Sequence, residues 1–195
     1  MNLLSRALEA SSDDASVERI LDAALDQLIR YGPRRTTMDD VARGAGLGRA
    51  TVYRRFPQKD QLFEAVLLRE CRRFLEELTA ALAAASSLEE KIVEGYVATM
   101  RLARGHPLIQ QLVRLEPETT LPYLTSHGAP VIAMCRGFVA QLIGDDGADE
   151  PEVTAEILVR LVHSLVLTPD GVIPVEADAA REFARRHLLP AALPR

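Results

Sequence analysis

TTMDDVARGAGLGRATVYRRFPQKDQLF, residues 36–63, predicts two short helices joined by a tight turn, with a third helix starting behind them. Ala42 supplies the small side chain that is needed where two helices approach closely. Gly46 lies where the turn requires a backbone with a positive φ angle, which glycine adopts without steric cost. Leu47 and Val52 have the spacing of apolar residues that pack into the angle between the two helices. The stretch therefore predicts a helix-turn-helix.

The second of these helices carries side chains that suit the major groove of DNA on its outward face. Gly48 frees the start of the helix, and Val52 points inward. The outward set is Arg49, Ala50, Thr51, Tyr53 and Arg54. A helix-turn-helix places the N-terminal residues of its second helix against base edges, where Arg and Thr can form hydrogen bonds. These residues predict double-stranded operator DNA as a partner.

The distribution of charge agrees with a DNA-binding head. The whole chain has a formal net charge of −5. Residues 30–59, however, hold eight basic and two acidic side chains, a local net charge of +6. A local basic face, and not the net charge of the chain, sets the attraction to phosphate.

The ordered motif set resembles the N-terminal domain of TetR-type (tetracycline-repressor-like) transcriptional regulators. The matching positions are Thr36-Thr37, Val41-Ala42, Ala45-Gly46-Leu47, Thr51-Val52-Tyr53, Phe56, Lys59 and Leu62. The resemblance covers about residues 17–67. It implies an all-α protein with a DNA-binding domain at 1–58 and a larger helical ligand-binding and dimerisation domain at 59–195. The predicted DNA-binding residues are Thr36, Thr37, Arg49, Ala50, Thr51, Tyr53, Arg54 and Lys59.

Apolar periodicity and Gly/Pro punctuation predict the remaining helices. Residues 1–15 are expected to form a flexible tail, and Tyr31-Gly32-Pro33 is expected to end the first helix. Thr36 or Thr37 is expected to cap the next helix, with Asp39 or Asp40 in capping-box position. The predicted helices outside the helix-turn-helix are 16–31, 59–84, 87–104, 107–115, 119–126, 129–143, 151–167 and 177–189. The helix at 59–84 is expected to link the DNA-binding head to the body.

The helix predicted over 151–167 is apolar on more than one side, which indicates two packing partners. One partner is the core of its own subunit, and the other is the same helix in a second subunit. With the final helix it predicts a four-helix homodimer interface. The predicted interface residues are Ile157, Leu158, Leu161, Leu165, Phe183 and Leu188.

The middle helices carry a second candidate site among aliphatic residues. Its members are Tyr96, Met100, Met134, Phe138 and His163. Two interpretations stand: ordinary core packing, or the wall of a cavity for a small-molecule effector, as similar regulators form.

Other classes of function find little support in the sequence. The glycines of residues 44–48 lack the preceding strand and the following Lys-Ser/Thr of a phosphate-binding loop. The four histidines are isolated, so no catalytic group, metal or cofactor is predicted. No apolar run reaches the ~18–20 residues of a membrane span, and two distant cysteines favour a reducing cytoplasm.

These features predict a ligand-responsive homodimeric repressor. The alternatives are a transcriptional activator, and a helical small-molecule-binding protein or enzyme with a vestigial DNA-binding head.

Overall fold

The computed structural model describes residues 15–114, 122, 125, 128–168 and 170–193, and every regular element in these ranges is helical. The elements are α1 (Ala15–Arg35), α2 (Met38–Ala45), α3 (Arg49–Arg55), α4 (Lys59–Ala81), α5 (Leu88–Gly105), α6 (Pro107–Arg114), α7 (Ala129–Gly144), α8 (Pro151–Leu167), α9 (Ala177–Phe183), a π-helical turn (Ala184–Leu188) and α10 (Leu189–Ala192). The predicted all-α fold is confirmed. The predicted tail at 1–15 and the predicted helix at 119–126 lie almost entirely outside the described residues.

Helix α1 buries one apolar stripe and then kinks. Its buried residues before the kink are Val17, Ile20, Leu21, Ala24 and Leu28, which recur at helical spacing. The backbone leaves the helical conformation at Gly32, with φ 75° and ψ 170°, immediately before Pro33. The predicted stop is therefore correct in position, although a further helical turn follows it to Arg35.

The first compact unit contains α1, α2, α3, α6 and the first half of α4 among its described residues, 15–71, 107–114, 122, 125 and 128–131. Its core joins the apolar stripe of α1 to Val41 and Val52 of the helix-turn-helix. Phe63 of α4 and Leu108 of α6 lie in the same core. The division that the sequence predicts after residue 58 stays a prediction, and this core extends beyond it.

The second compact unit contains residues 72–106, 132–168 and 170–193 of the described chain. Its core residues are Ile92, Val93, Tyr96, Met100, Ile143, Leu165, Ala180, Ala184, Leu188 and Ala192. The hydroxyl of Tyr96 donates a hydrogen bond to the carbonyl of Pro174 at 2.9 Å. This contact ties the loop between α8 and α9 to the core.

The C-terminal segment is not the single helix predicted over 177–189. The N–H of Leu189 donates to the carbonyl of Ala184, five residues back, so the turn between them is wider than an α-helical turn. Pro190 follows this wide turn. In a regular α-helix its ring would clash with the carbonyl four residues back, that of Arg186, and the wider turn relieves that contact.

Candidate DNA-binding surface

Helix α2 begins with the capping box that the sequence predicts, and Thr37 is the capping residue. Its side-chain oxygen accepts from the N–H of Asp40 at 3.2 Å, and its hydroxyl donates to the Asp40 carboxylate at 2.5 Å. This hydroxyl, together with the guanidinium of Arg43, holds the pKa of Asp40 below its ordinary value. Asp40 therefore stays ionised and stabilises the positive end of the helix dipole.

The turn between α2 and α3 depends on a glycine in the left-handed region. Gly46 has φ 62° and ψ 36°, and its N–H donates to the carbonyls of Ala42 and Arg43. Arg19 of α1 donates from Nη2 to the carbonyl of Ala45 at 2.5 Å and to that of Gly46 at 3.2 Å. A cation at a helix C-terminus satisfies carbonyls that have no partner within the helix. Arg19 therefore fixes the turn that sets the direction of α3.

Helix α3 separates an inward from an outward face as predicted. Val52 is fully buried in the core of the first unit. Tyr53 is an exposed large side chain, with 42% of its surface accessible. Arg49, Ala50 and Arg54 are exposed as well, and Thr51 is half-buried. The predicted recognition residues of α3 thus share one accessible surface.

Lys59 stands at the first position of α4 and is half-buried. Its Nζ lies 5.1 Å from the centroid of the Phe63 ring, within the range of a cation–π contact. The ring therefore stabilises the positive charge of Lys59 at a helix N-terminus, where the helix dipole disfavours a cation. The phosphate contact predicted for Lys59 stays a prediction.

The DNA contact predicted for Thr36 stays a prediction, and the burial of its side chain argues against it. Thr36 is only 1% exposed, and its hydroxyl donates to the carbonyl of Gly32 at 2.8 Å. Its side chain therefore closes the connection between α1 and α2 inside the head. Thr37, the neighbouring capping residue, is exposed and stays in the predicted set.

The residues predicted for the ligand pocket fall into two groups. Tyr96 and Met100 are buried in the core of the second unit. Met134, Phe138 and His163 are half-buried. The core-packing interpretation therefore fits the first pair better, and the pocket assignment stays a prediction for the other three.

The residues predicted for the dimer interface also differ in burial. Leu165 and Leu188 are buried within their own unit, and Leu158, Leu161 and Phe183 pack partly against the same core. Ile157 is 53% exposed, and so is Val153 one turn before it on α8. The accessible apolar surface of α8 is therefore at its N-terminal half.

Three polar arrangements in the first compact unit are absent from the sequence-based prediction. They are the hydrogen bonds from Arg19 to the turn, an ion pair between Asp39 and Arg49, and a cluster of three carboxylates around buried Arg69. Only the last left a signal in the sequence, because Arg69 and Glu70 interrupt an apolar stripe between Leu68 and Cys71.

The helix-turn-helix of α2 and α3, with its exposed recognition residues, defines the class of protein as a transcriptional regulator with an N-terminal DNA-binding motif. The profile of bacterial regulatory proteins of the tetR family matches residues 20–66. The profile of the bacterial tetracyclin repressor C-terminal domain matches residues 87–186, more than half of the chain. The chain belongs to the tetR family of bacterial regulatory proteins.

Similar proteins agree with this membership. An uncharacterised HTH-type transcriptional regulator of Mycobacterium tuberculosis is 28% identical over 187 residues, 94% of this chain and 91% of that protein. The HTH-type transcriptional regulator AlkX of the same species is 28% identical over 180 residues, 87% of this chain and 85% of that protein.

Solved structures show the same fold. The TetR family repressor AlkX from Dietzia sp., implicated in biodegradation of n-alkanes, matches with a TM-score of 0.69 at 22% identity, covering 91% of this chain and 97% of that chain. The R. erythropolis transcriptional repressor QsdR matches with a TM-score of 0.63 at 21% identity, covering 92% and 97%. In the residues that the structure describes, no helix is long and apolar enough to cross a membrane.

Proposed function

We propose that this chain is a homodimeric repressor that binds a two-fold symmetric operator and releases it when a small molecule binds to the body. The observation that carries the proposal is the accessible face of α3, on which Arg49, Tyr53 and Arg54 lie together around a fixed glycine turn. Thr37, Ala50, Thr51 and Lys59 complete the proposed contact surface. Two fold relatives are named repressors, which supports repression as the direction of control.

The test of DNA binding begins with enrichment of sequences from a randomised duplex pool by the unsubstituted protein. Arg49→Ala is expected to weaken binding to the enriched sequence by ~1–3 kcal/mol, the range for a base contact. Arg30→Ala is the matched control, because Arg30 is an exposed arginine of α1 outside the proposed surface. Lys59→Ala is expected to weaken binding to every sequence and to lower the salt slope by about one. Equal losses for Arg49→Ala and Arg30→Ala on enriched and random duplexes would contradict the assignment.

The proposed dimer uses the accessible half of α8. A glutamate at position 157 would bury a charge in the interface but would leave the core of the subunit intact. Ile157→Glu is therefore expected to give folded monomers in sedimentation and light-scattering measurements. Val172→Glu is the matched control, since Val172 is an apolar side chain of the same unit that is fully exposed. A stable Ile157→Glu dimer would place the interface elsewhere.

The proposed response to a ligand requires a path from the body to the head. Helix α4 begins in the first unit and ends in the second, and α5 of the second unit continues through His106 into α6 of the first. Within the first compact unit, Leu108 and Leu112 of α6 pack in the same core as α1. A ligand that binds the two states of the body unequally can act along these connections.

Reciprocal linkage tests this response. A small molecule found by thermal-shift screening must lower operator affinity by the same factor by which operator DNA lowers affinity for the molecule. Equal affinity of such a molecule for free and DNA-bound protein would refute the mechanism.

A further inference from the structure

The recognition helix begins with an arginine that already has an acidic partner. Nε of Arg49, the first residue of α3, lies 2.7 Å from Oδ1 of Asp39, in the first turn of α2. The two side chains are 67% and 41% exposed, so the pair lies at the surface, although Oδ1 of Asp39 itself is buried and meets Nε as an ion pair without hydrogen-bond geometry. A carboxylate therefore stands beside the first arginine of the surface proposed to meet DNA, where phosphate would repel it.

Neither stability nor helix capping accounts for this pair. Exposed ion pairs stabilise a fold only marginally because water screens the charges. The adjacent Asp40 already supplies the acid of the capping box through Thr37 and pairs with Arg43 at 2.9 Å. A second acid in the first turn of α2 adds only ~0.3–1 kcal/mol through the helix dipole, and it reduces the attraction to DNA.

We infer that Asp39 is a selectivity residue for DNA, which positions Arg49 for a base edge and weakens binding to sequences without a matching base. The contact to the carboxylate is through Nε, and the terminal Nη atoms are the donors that a guanidinium presents to a guanine edge. Orienting the planar guanidinium in advance lowers the entropy that is lost when it binds.

On random duplex the oriented Arg49 finds no matching base to which it can donate hydrogen bonds. The carboxylate of Asp39 repels phosphate there and lowers the affinity. On a matching sequence the contact of Arg49 to the base offsets that repulsion. Asp39 thus increases the ratio of affinity for matching duplex to affinity for random duplex. It weakens binding to both, but it weakens binding to random duplex more. The inference rests on the proposed function, since it requires that α3 reads DNA.

The test compares the affinity for enriched duplex with that for random duplex, measured by fluorescence anisotropy over a range of salt concentrations. Asp39→Asn removes the charge with little change of shape. It is expected to raise affinity for random duplex by up to about eightfold at 0.1 M salt, as one additional released counterion would. The ratio of enriched to random affinity is expected to fall about twofold to fivefold. Asp39→Glu keeps the carboxylate and is expected to retain most of the ratio.

Asp26→Asn is the matched control, because Asp26 forms an exposed ion pair with Arg30 at 2.6 Å on α1, outside the proposed surface. It removes the same charge from the same unit. A double-mutant cycle with Arg49→Ala completes the design: once Arg49 is absent, Asp39→Asn is expected to leave the ratio unchanged.

The outcomes separate the two proposals. If the unsubstituted protein enriches no sequence, the proposed function fails and this inference fails with it. If it enriches a sequence but Asp39→Asn keeps the full ratio, or lowers it no more than Asp26→Asn does, only the role of Asp39 is refuted. Circular dichroism of each variant shows that the head is folded, and a folded Asp39→Glu variant with the ratio of Asp39→Asn would also overturn the inference.

Discussion

Replacing Arg69 by alanine is expected to destabilise the first compact unit more than any other substitution of a charged residue that the structure describes there. Arg69 lies on α4 with only 5% of its side chain exposed. Its Nη1 is 3.1 Å from Glu18 and 2.8 Å from Asp22, both on α1, and its Nε is 3.2 Å from the adjacent Glu70. One guanidinium therefore joins two helices through three carboxylates.

The burial of each carboxylate sets the size of the effect. Glu70 is 11% exposed, so the loss of Arg69 removes a cation from a carboxylate that has little access to water. Breaking a buried pair in this way costs about 3–5 kcal/mol. Glu18 and Asp22 are more exposed, at 38% and 63%, which places the loss near the lower end, about 3 kcal/mol. Asp22→Asn, which removes only the most exposed partner, is expected to cost no more than about 1 kcal/mol.

Hydrogen exchange of peptides from α1 is the suitable assay, because a global unfolding curve would combine two compact units. A loss of about 3 kcal/mol in the free energy of unfolding predicts that the amides of α1 exchange faster by a factor of ~100. The variant Arg69→Met/Glu70→Gln removes the cation and its most buried anion together and is expected to recover most of the loss, since neutral pairs of similar volume often replace buried ion pairs without cost. Exchange in Arg69→Ala within about threefold of the unsubstituted protein would refute the electrostatic reasoning.

Three further substitutions test the local geometry. Gly46→Ala forces a side chain into the left-handed region and is expected to destabilise the helix-turn-helix by about 1–2 kcal/mol, measured by exchange of the amides of α2. Thr36→Val is expected to lower stability by about 1–2 kcal/mol through loss of the buried hydrogen bond to Gly32, while DNA affinity at equal folded fraction stays unchanged; a selective loss of DNA affinity would restore Thr36 to the contact set. Burial raises the pKa of Tyr96 above its ordinary 10.0, so its contribution to stability is fully present below pH 10 and is lost as the pH rises through the folded-state pKa. Tyr96→Phe is therefore expected to lose about 1 kcal/mol at neutral pH with its bond to Pro174 and to show weaker alkaline destabilisation in thermal melts; an unchanged alkaline profile would contradict this.

The helix-turn-helix was predictable because its determinants are local. A positive φ angle selects glycine at Gly46, and the capping box selects a Thr and an Asp three residues apart. The burial of Thr36, for which a DNA contact was predicted, has an equally local cause. Two adjacent threonines precede α2, and the sequence leaves open which one caps the helix. In the structure Thr37 is the cap, which places the side chain of Thr36 in the buried position before it.

The polar contacts of the head were not predictable in the same way. Arg19 reaches carbonyls that lie 26 and 27 residues further along the chain, and Arg69 reaches a carboxylate 51 residues before it. Although Arg69 and Glu70 visibly interrupt an apolar stripe, neither spacing identifies the partners, because only the packing of one helix against another brings these groups together. Long-range polar contacts therefore require the structure, even where each helix is correctly predicted.

Helix α8 shows why apolar periodicity identifies a helix better than it identifies the partner of each side chain. Residues 153, 157, 161 and 165 are all apolar and recur in one line at a spacing of four, and periodicity alone does not separate the environments of its members. With 3.6 residues per turn, each step of four rotates the side chain by about 40°, so the two ends of the line point about 120° apart. The structure follows this drift, since Val153 and Ile157 are exposed and Leu165 is buried in the core of its own unit. One line of apolar residues thus faces two environments, and the subunit interface that we propose uses the first half of α8, where a charge is expected to separate subunits without unfolding them.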